Sequence, residues 1–76
     1  MQAFFDKIQA EAKRVVETNP QGRWTYGDWD VFVQEDKVII NDSNLELVAE
    51  ASASKPDLVC MKCDPDDVLE CLERLS

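Results

Sequence analysis

Apolar residues recur at helical spacing in the first part of the chain. They lie three or four positions apart, with charged residues between them, and this pattern predicts an amphipathic helix over about residues 2 to 18. Asn19-Pro20 then ends the helix, because proline cannot donate the next backbone hydrogen bond and disfavours a helical predecessor. The apolar stripe comprises Met1, Phe5, Ile8, Ala12 and Val15.

From Arg23 onward the spacing changes to the alternation typical of half-buried strands. Trp24 and Tyr26 fall on one side, and the following residues continue as aromatic or β-branched positions between polar ones. Gly27 interrupts this run and predicts a bulge or bend between two stretches. Glu35-Asp36 separates the second stretch from residues 37 to 41, which predicts a hairpin. The alternating positions are Trp29, Val31 and Val33 against Asp28, Asp30 and Gln34.

Residues 42 to 54 fit two structures. Leu45, Leu47 and Ala49 alternate as in a strand, whereas Ser43 and Glu46 have the spacing of a helix capping box. We favour the strand. A last strand is predicted over residues 58 to 62, and Asp64 followed by Pro65 is typical of a helix start.

The predicted fold class is therefore α+β, in the order α-β-β-β-β-α. An N-terminal helix and a C-terminal helix flank a sheet of three to four mostly antiparallel strands, with a helix in place of a strand at 43–54 as the alternative. At 76 residues, we expect one small acidic domain with a thin core.

The charge of the chain is strongly negative and unevenly distributed. Sixteen acidic and eight basic residues give a formal net charge of −8, which opposes attraction to nucleic acid and to anionic membranes. Residues 1 to 27 hold three acids and four bases, whereas residues 28 to 76 hold thirteen acids and four bases. We expect no direct binding to nucleic acid and no membrane association.

The three cysteines suggest a reducing compartment rather than a disulfide framework. No apolar run approaches the length of a membrane span and no signal-peptide pattern is present, so we expect a cytoplasmic protein. Cys60 and Cys63 have the spacing of half a zinc site or of a redox pair. With only Cys71 as a third cysteine and no histidine, and with positions three apart on opposite faces of a strand, we interpret all three as structural, Cys71 packing beside Val68 and Leu72. We expect no metal and no cofactor.

The residue types that most catalytic sites need are scarce. The chain has no histidine and only two glycines, and it contains neither a phosphate-binding loop nor a nucleophile elbow. Asp28, Asp30, Asp66 and Asp67 are candidates for a carboxylate pair, but no other feature supports acid–base chemistry. We therefore expect a protein that is not an enzyme.

An acidic row on the last helix is the strongest candidate for a functional surface. Asp66, Glu70 and Glu73 fall at i, i+4 and i+7 with Asp67 beside them, and repulsion along such a row costs a few tenths of a kcal/mol per pair. Their spacing of about 5 Å per charge is looser than the 3.4 Å per phosphate of a DNA strand. A solvated face that only maintains solubility is the alternative. The predicted partner-binding residues are Asp66, Asp67, Glu70, Glu73, Asp28, Asp30, Trp24 and Tyr26, with the aromatic members serving either as binding anchors or in the core.

In size, acidity and lack of catalytic residue types, the chain resembles the small phage-encoded inhibitors that block bacterial defence or transcription machinery, including anti-CRISPR proteins. This resemblance concerns composition alone. It implies an inhibitor that docks a negative surface on the basic, nucleic-acid-binding site of a host protein. The alternative is a structural or accessory subunit, such as a homodimer that pairs through an exposed strand edge.

Overall fold

The computed structural model describes residues 2 to 75, and its first element is the helix α1, Gln2–Thr18. Ile8, Ala12 and Val15 on its inner stripe are fully buried, which confirms the predicted helix and its register. Met1, the first residue of the predicted stripe, lies outside the described residues. After α1, the backbone N–H of Gly22 donates to the carbonyl of Asn19 over 2.9 Å.

A five-stranded antiparallel meander follows, in which every strand pairs with its neighbour in the sequence. The predicted helix–sheet–helix order is confirmed, and the sheet has five strands because the chain turns at Gly27. Tyr26 pairs directly with Trp29, so Gly27 and Asp28 form a two-residue hairpin turn and not a bulge within one strand. Gly27 has a φ of 63°, which such tight turns require at their first position. The strands are β1 Arg23–Tyr26, β2 Trp29–Gln34, β3 Lys37–Asn41, β4 Leu47–Ser52 and β5 Leu58–Cys60.

The stretch with two interpretations forms a turn and then a strand. β4 confirms the strand, and the helix alternative fails because the Asp42 carboxylate accepts the backbone N–H groups of Asn44 and Glu46, over 2.8 and 3.0 Å. These bonds hold a turn in which Leu45 has a φ of 64°. The pairing of β3 with β4 shifts register between Ile40 and Asn41.

The last strand is shorter than predicted, ending at Cys60. The chain then bends, and the backbone N–H groups of Met61 and Lys62 both donate to the carbonyl of Val48. The helix α2, Pro65–Arg74, begins with proline as expected. Asp64 occupies the N-cap position, as the predicted helix start requires, but its side chain makes no capping hydrogen bond.

Both helices pack on one face of the sheet and enclose the core. Alternate strand residues face the helices, and α1 contacts both α2 and the central strands β3 and β4. No charged or polar side chain is buried among the described residues. Within residues 2 to 75, no helix is both long and apolar enough to cross a membrane. The core comprises Ile8, Ala12, Val15, Val31, Val38, Ile40, Val48, Ala49, Ala51, Val68, Cys71, Leu72 and Leu75.

Candidate functional site

A groove of about 320 Å³ lies between the tip of the β1–β2 hairpin and the outer side of α2. The hairpin turn presents Asp28 at this tip. On α2, Val68, Cys71 and Leu72 point into the core, whereas Asp67 and Glu70 lie on the outer side of the helix and line the groove. The groove is lined by Tyr26, Gly27, Asp28, Trp29, Asp67 and Glu70.

Two aromatic side chains form one wall of this groove. Tyr26 and Trp29 face each other across the hairpin register, with ring centroids 6.2 Å apart and planes inclined by 39°. Both are half-buried and pack against the edge of the core. Their inner parts therefore support the fold while their outer parts remain accessible, an arrangement common for aromatic residues at binding surfaces.

Three carboxylates surround these rings, and one of them is bonded to the aromatic wall. The Tyr26 hydroxyl donates to Oε1 of Glu70 over 3.5 Å. Partial burial and the negative charge of Glu70 raise the pKa of Tyr26, so the phenol stays protonated at neutral pH and remains a donor. Arg74 lies 3.4 Å from Glu70, whereas within residues 2 to 75 neither Asp28 nor Asp67 belongs to an ion pair.

The remaining predicted acids of α2 lie beside the groove or beyond it. Asp66 is exposed on the side of α2 that faces α1, where it borders a second, apolar groove of about 400 Å³ with Phe4, Phe5 and Pro65. Glu73 is exposed on the last turn of the helix. α2 is therefore an acidic ridge between two grooves with aromatic walls.

Two of the predicted partner-binding residues are not part of the groove. Asp30 points to the opposite face of the sheet, where it accepts two hydrogen bonds from Arg23, over 3.2 and 2.5 Å. Trp24 packs against the core from β1, and its ring lies against Gly22. The strand alternation that brings Tyr26 and Trp29 to the helices also directs Asp30 away from them.

The cysteine arrangement differs from its prediction in one respect. Cys71 is buried beside Val68 and Leu72 as expected, and burial raises its pKa to about 11. The expectation that Cys60 and Cys63 point apart is wrong, because β5 ends at Cys60 and the following bend brings the two Sγ atoms within 2.8 Å. Among residues 2 to 75, no three potential metal ligands of the His, Cys, Asp or Glu type come together.

Sequence reasoning missed the features that shape these sites. The groove wall formed by Phe4 and Phe5 was not predicted. Its signal is that the two aromatic residues are adjacent at the helix start, because adjacent helix positions cannot both lie on one narrow buried stripe. A bulge or bend was predicted at Gly27, but the two-residue hairpin turn at Gly27-Asp28 was not. Its signal is a glycine-containing pair of residues between two alternating stretches.

The fold and the groove beside Tyr26 and Trp29 define a two-layer α+β protein with an acidic, aromatic-lined groove. Compared with protein-family profiles, curated proteins and solved structures, the chain matches none. The chemistry of the groove therefore has to support any functional proposal.

Proposed function

We propose that this chain is a non-catalytic, acidic protein-binding inhibitor, which docks α2 and the adjacent groove on a basic, nucleic-acid-binding surface of a protein partner. One observation carries this proposal: the Tyr26–Trp29 wall and the carboxylates of Asp28, Asp67 and Glu70 meet in one groove. An arginine side chain matches such a groove, since a guanidinium both stacks on aromatic rings and pairs with carboxylates. An inhibitor of the anti-defence type remains a prediction within this class.

The alternative function is an accessory subunit that self-associates through a sheet edge. The two edge strands, β1 and β5, have four and three residues. Such short edges offer few unpaired backbone groups to a second copy, and short edge strands are one way in which proteins avoid edge pairing. The structure thus favours docking through α2 and its groove over self-pairing.

The test compares two variants with the same change of charge. Asp67→Lys with Glu70→Lys alters the groove, and Glu17→Lys with Asp57→Lys alters exposed positions outside it. Each double variant shifts the formal net charge from −8 to −4. Tagged proteins would capture partners from native host lysate, followed by a salt gradient and by kinetic binding measurements with the captured protein.

We expect wild type and the control variant to release a nucleic-acid-binding protein as salt rises. The groove variant should associate more slowly by about tenfold or more, with a weaker salt dependence, because charges at an interface rim mainly set the association rate. An equal loss of binding in both variants would show that the overall charge of the protein, and not the groove, determines binding. Unchanged binding in both, or recovery of only the chain itself, would refute the proposal and favour the accessory subunit.

A further inference from the structure

Two thiols meet where the sheet passes into the last helix. Cys60 is the final residue of β5, and Cys63 lies in the bend that precedes Asp64 and α2. The carbonyl of Val48 holds this bend by accepting the backbone N–H groups of Met61 and Lys62, over 2.8 and 3.4 Å. The Cys63 thiol also approaches the Val48 carbonyl, at 3.8 Å.

The position of the bend places the sulfur atoms close together. Sγ of Cys60 contacts both the backbone carbonyl of Cys63 and the Cys63 Sγ, 2.8 Å away. A disulfide has an S–S distance of about 2.05 Å, so forming the bond requires an approach of only about 0.75 Å. Neither side chain is fully buried, which leaves the pair accessible to a small reagent.

We propose that Cys60 and Cys63 form a redox-active dithiol, which a low-molecular-weight disulfide oxidises to an intramolecular disulfide. The Cys60 thiolate attacks one sulfur of the reagent, forms a mixed disulfide and expels a thiolate, which takes up a proton. The Cys63 thiolate then attacks the Cys60 sulfur and expels the second thiolate. The protein loses two protons and two electrons, and the reagent, which gains them, is reduced to two thiols.

The electrostatics of the pair set this order of attack. Burial and the neighbouring charges of Cys60, Asp67 and Asp64 raise the pKa of Cys63 to about 12, so Cys63 is a poor first nucleophile. Once Cys60 is part of a mixed disulfide it carries no charge, and one obstacle to ionisation of Cys63 is removed. Oxidation should therefore accelerate as pH rises.

The experiment equilibrates the full chain with mixtures of reduced and oxidised glutathione, below and above its urea unfolding transition. Samples are quenched with acid, alkylated in denaturant and mapped by mass spectrometry. We expect oxidised protein to be lighter by about 2 Da before alkylation and to take up one alkyl group instead of three, with the link mapped to Cys60 and Cys63. Cys71, which is fully buried, should remain a free thiol.

The decisive quantity is the ratio of the oxidation equilibrium constants of the folded and unfolded chains. Because the fold already places the thiols together, we expect this ratio to be at least about tenfold in favour of the folded chain. The thermodynamic cycle requires the disulfide to raise the folding equilibrium constant by the same factor. The urea unfolding transitions of the reduced and oxidised proteins check this independently. A ratio near or below one would overturn the proposal.

Two serine variants complete the test. Cys63→Ser removes the resolving thiol, so the chain should accumulate a glutathione adduct on Cys60 and form no internal link. Cys71→Ser should oxidise like wild type. Persistent glutathione adducts on wild-type Cys60 would overturn the proposal, as would cross-linked dimers in place of the internal disulfide.

Discussion

The chain contains two glycines, and the structure requires each for a different reason. Gly22 joins α1 to β1, and a methyl group there would stand 2.8 Å from both Cβ of Asn19 and Cζ2 of the Trp24 ring. Gly27 has open space around it but a φ of +63°. Substitution at Gly22 should therefore destabilise the fold through a steric clash, and substitution at Gly27 should do so through backbone strain.

The expected magnitudes follow from these two causes. Overpacking against an aromatic ring costs about 1 to 3 kcal/mol, so Gly22→Ala should remove a large part of the about 4 to 11 kcal/mol that a chain of this length possesses. A left-handed backbone conformation destabilises the folded state by about 1 to 2 kcal/mol for a non-glycine residue. Gly27→Ala offsets about 0.4 to 1 kcal/mol of this loss, because alanine lowers the conformational entropy of the unfolded chain. At about 4 to 8 °C per kcal/mol, a loss of about 1 kcal/mol lowers the melting temperature measurably.

Asparagine distinguishes the two causes, because it tolerates the left-handed region but is larger than alanine. At Gly27, asparagine should be less destabilising than alanine, whereas at Gly22 it should be more destabilising. Thermal and urea unfolding of the four variants measures this order, and tryptophan fluorescence should change in the Gly22 pair because the Trp24 ring must move. The same order at both positions would refute this explanation.

The other predictions concern the core, the β3–β4 turn and the cysteines. Ile8→Ala and Leu72→Ala each truncate a fully buried side chain and should cost about 2 to 5 kcal/mol in urea unfolding; a variant that melts like wild type would contradict its assigned register. Backbone N–H donors and Lys62 lower the pKa of Asp42, so its contribution to stability should be present above about pH 4 and disappear as pH falls through the folded-state pKa; the difference between wild type and Asp42→Ala should shrink over that range. Metal analysis of reduced protein should find well under one zinc per chain, and chelator should leave the unfolding transition unchanged; stoichiometric zinc would make Cys60 and Cys63 ligands.

Most of the fold could be predicted from the spacing of apolar residues, because a helix or strand that buries one face repeats apolar residues at a regular interval. The register of α1 and the inner residues of α2 came from helical spacing, and the strands came from alternation. The segment after Asn41 was harder to predict, because Asp42 bonds the backbone of the turn through its side chain. Such local competition depends on side-chain geometry, and a capping-box spacing cannot reveal it.

The site was less predictable than the fold. Charge spacing correctly placed Asp67 and Glu70 on the outer side of α2, but distance along the chain does not show which strand residues approach that helix. Tyr26 approaches the helix, where its hydroxyl donates to Glu70. Asp30 lies on the opposite face of the sheet and accepts a hydrogen bond from Arg23. Their separation became visible only when the turn at Gly27 fixed the hairpin register.

The groove and the dithiol both adjoin α2, and Asp67 lines the groove while its charge also raises the pKa of Cys63, but disulfide formation changes no groove residue covalently. The thiols precede the helix, and the groove uses Asp67 and Glu70 on its outer side. Since the sulfur atoms already lie 2.8 Å apart, closing the bond requires little movement of the bend, while Val68 and Leu72 continue to anchor α2 in the core. We therefore expect reduced and oxidised protein to bind the same partner with the same salt dependence. A large difference between them would show that oxidation moves the helix, and would connect the two sites as one regulated surface.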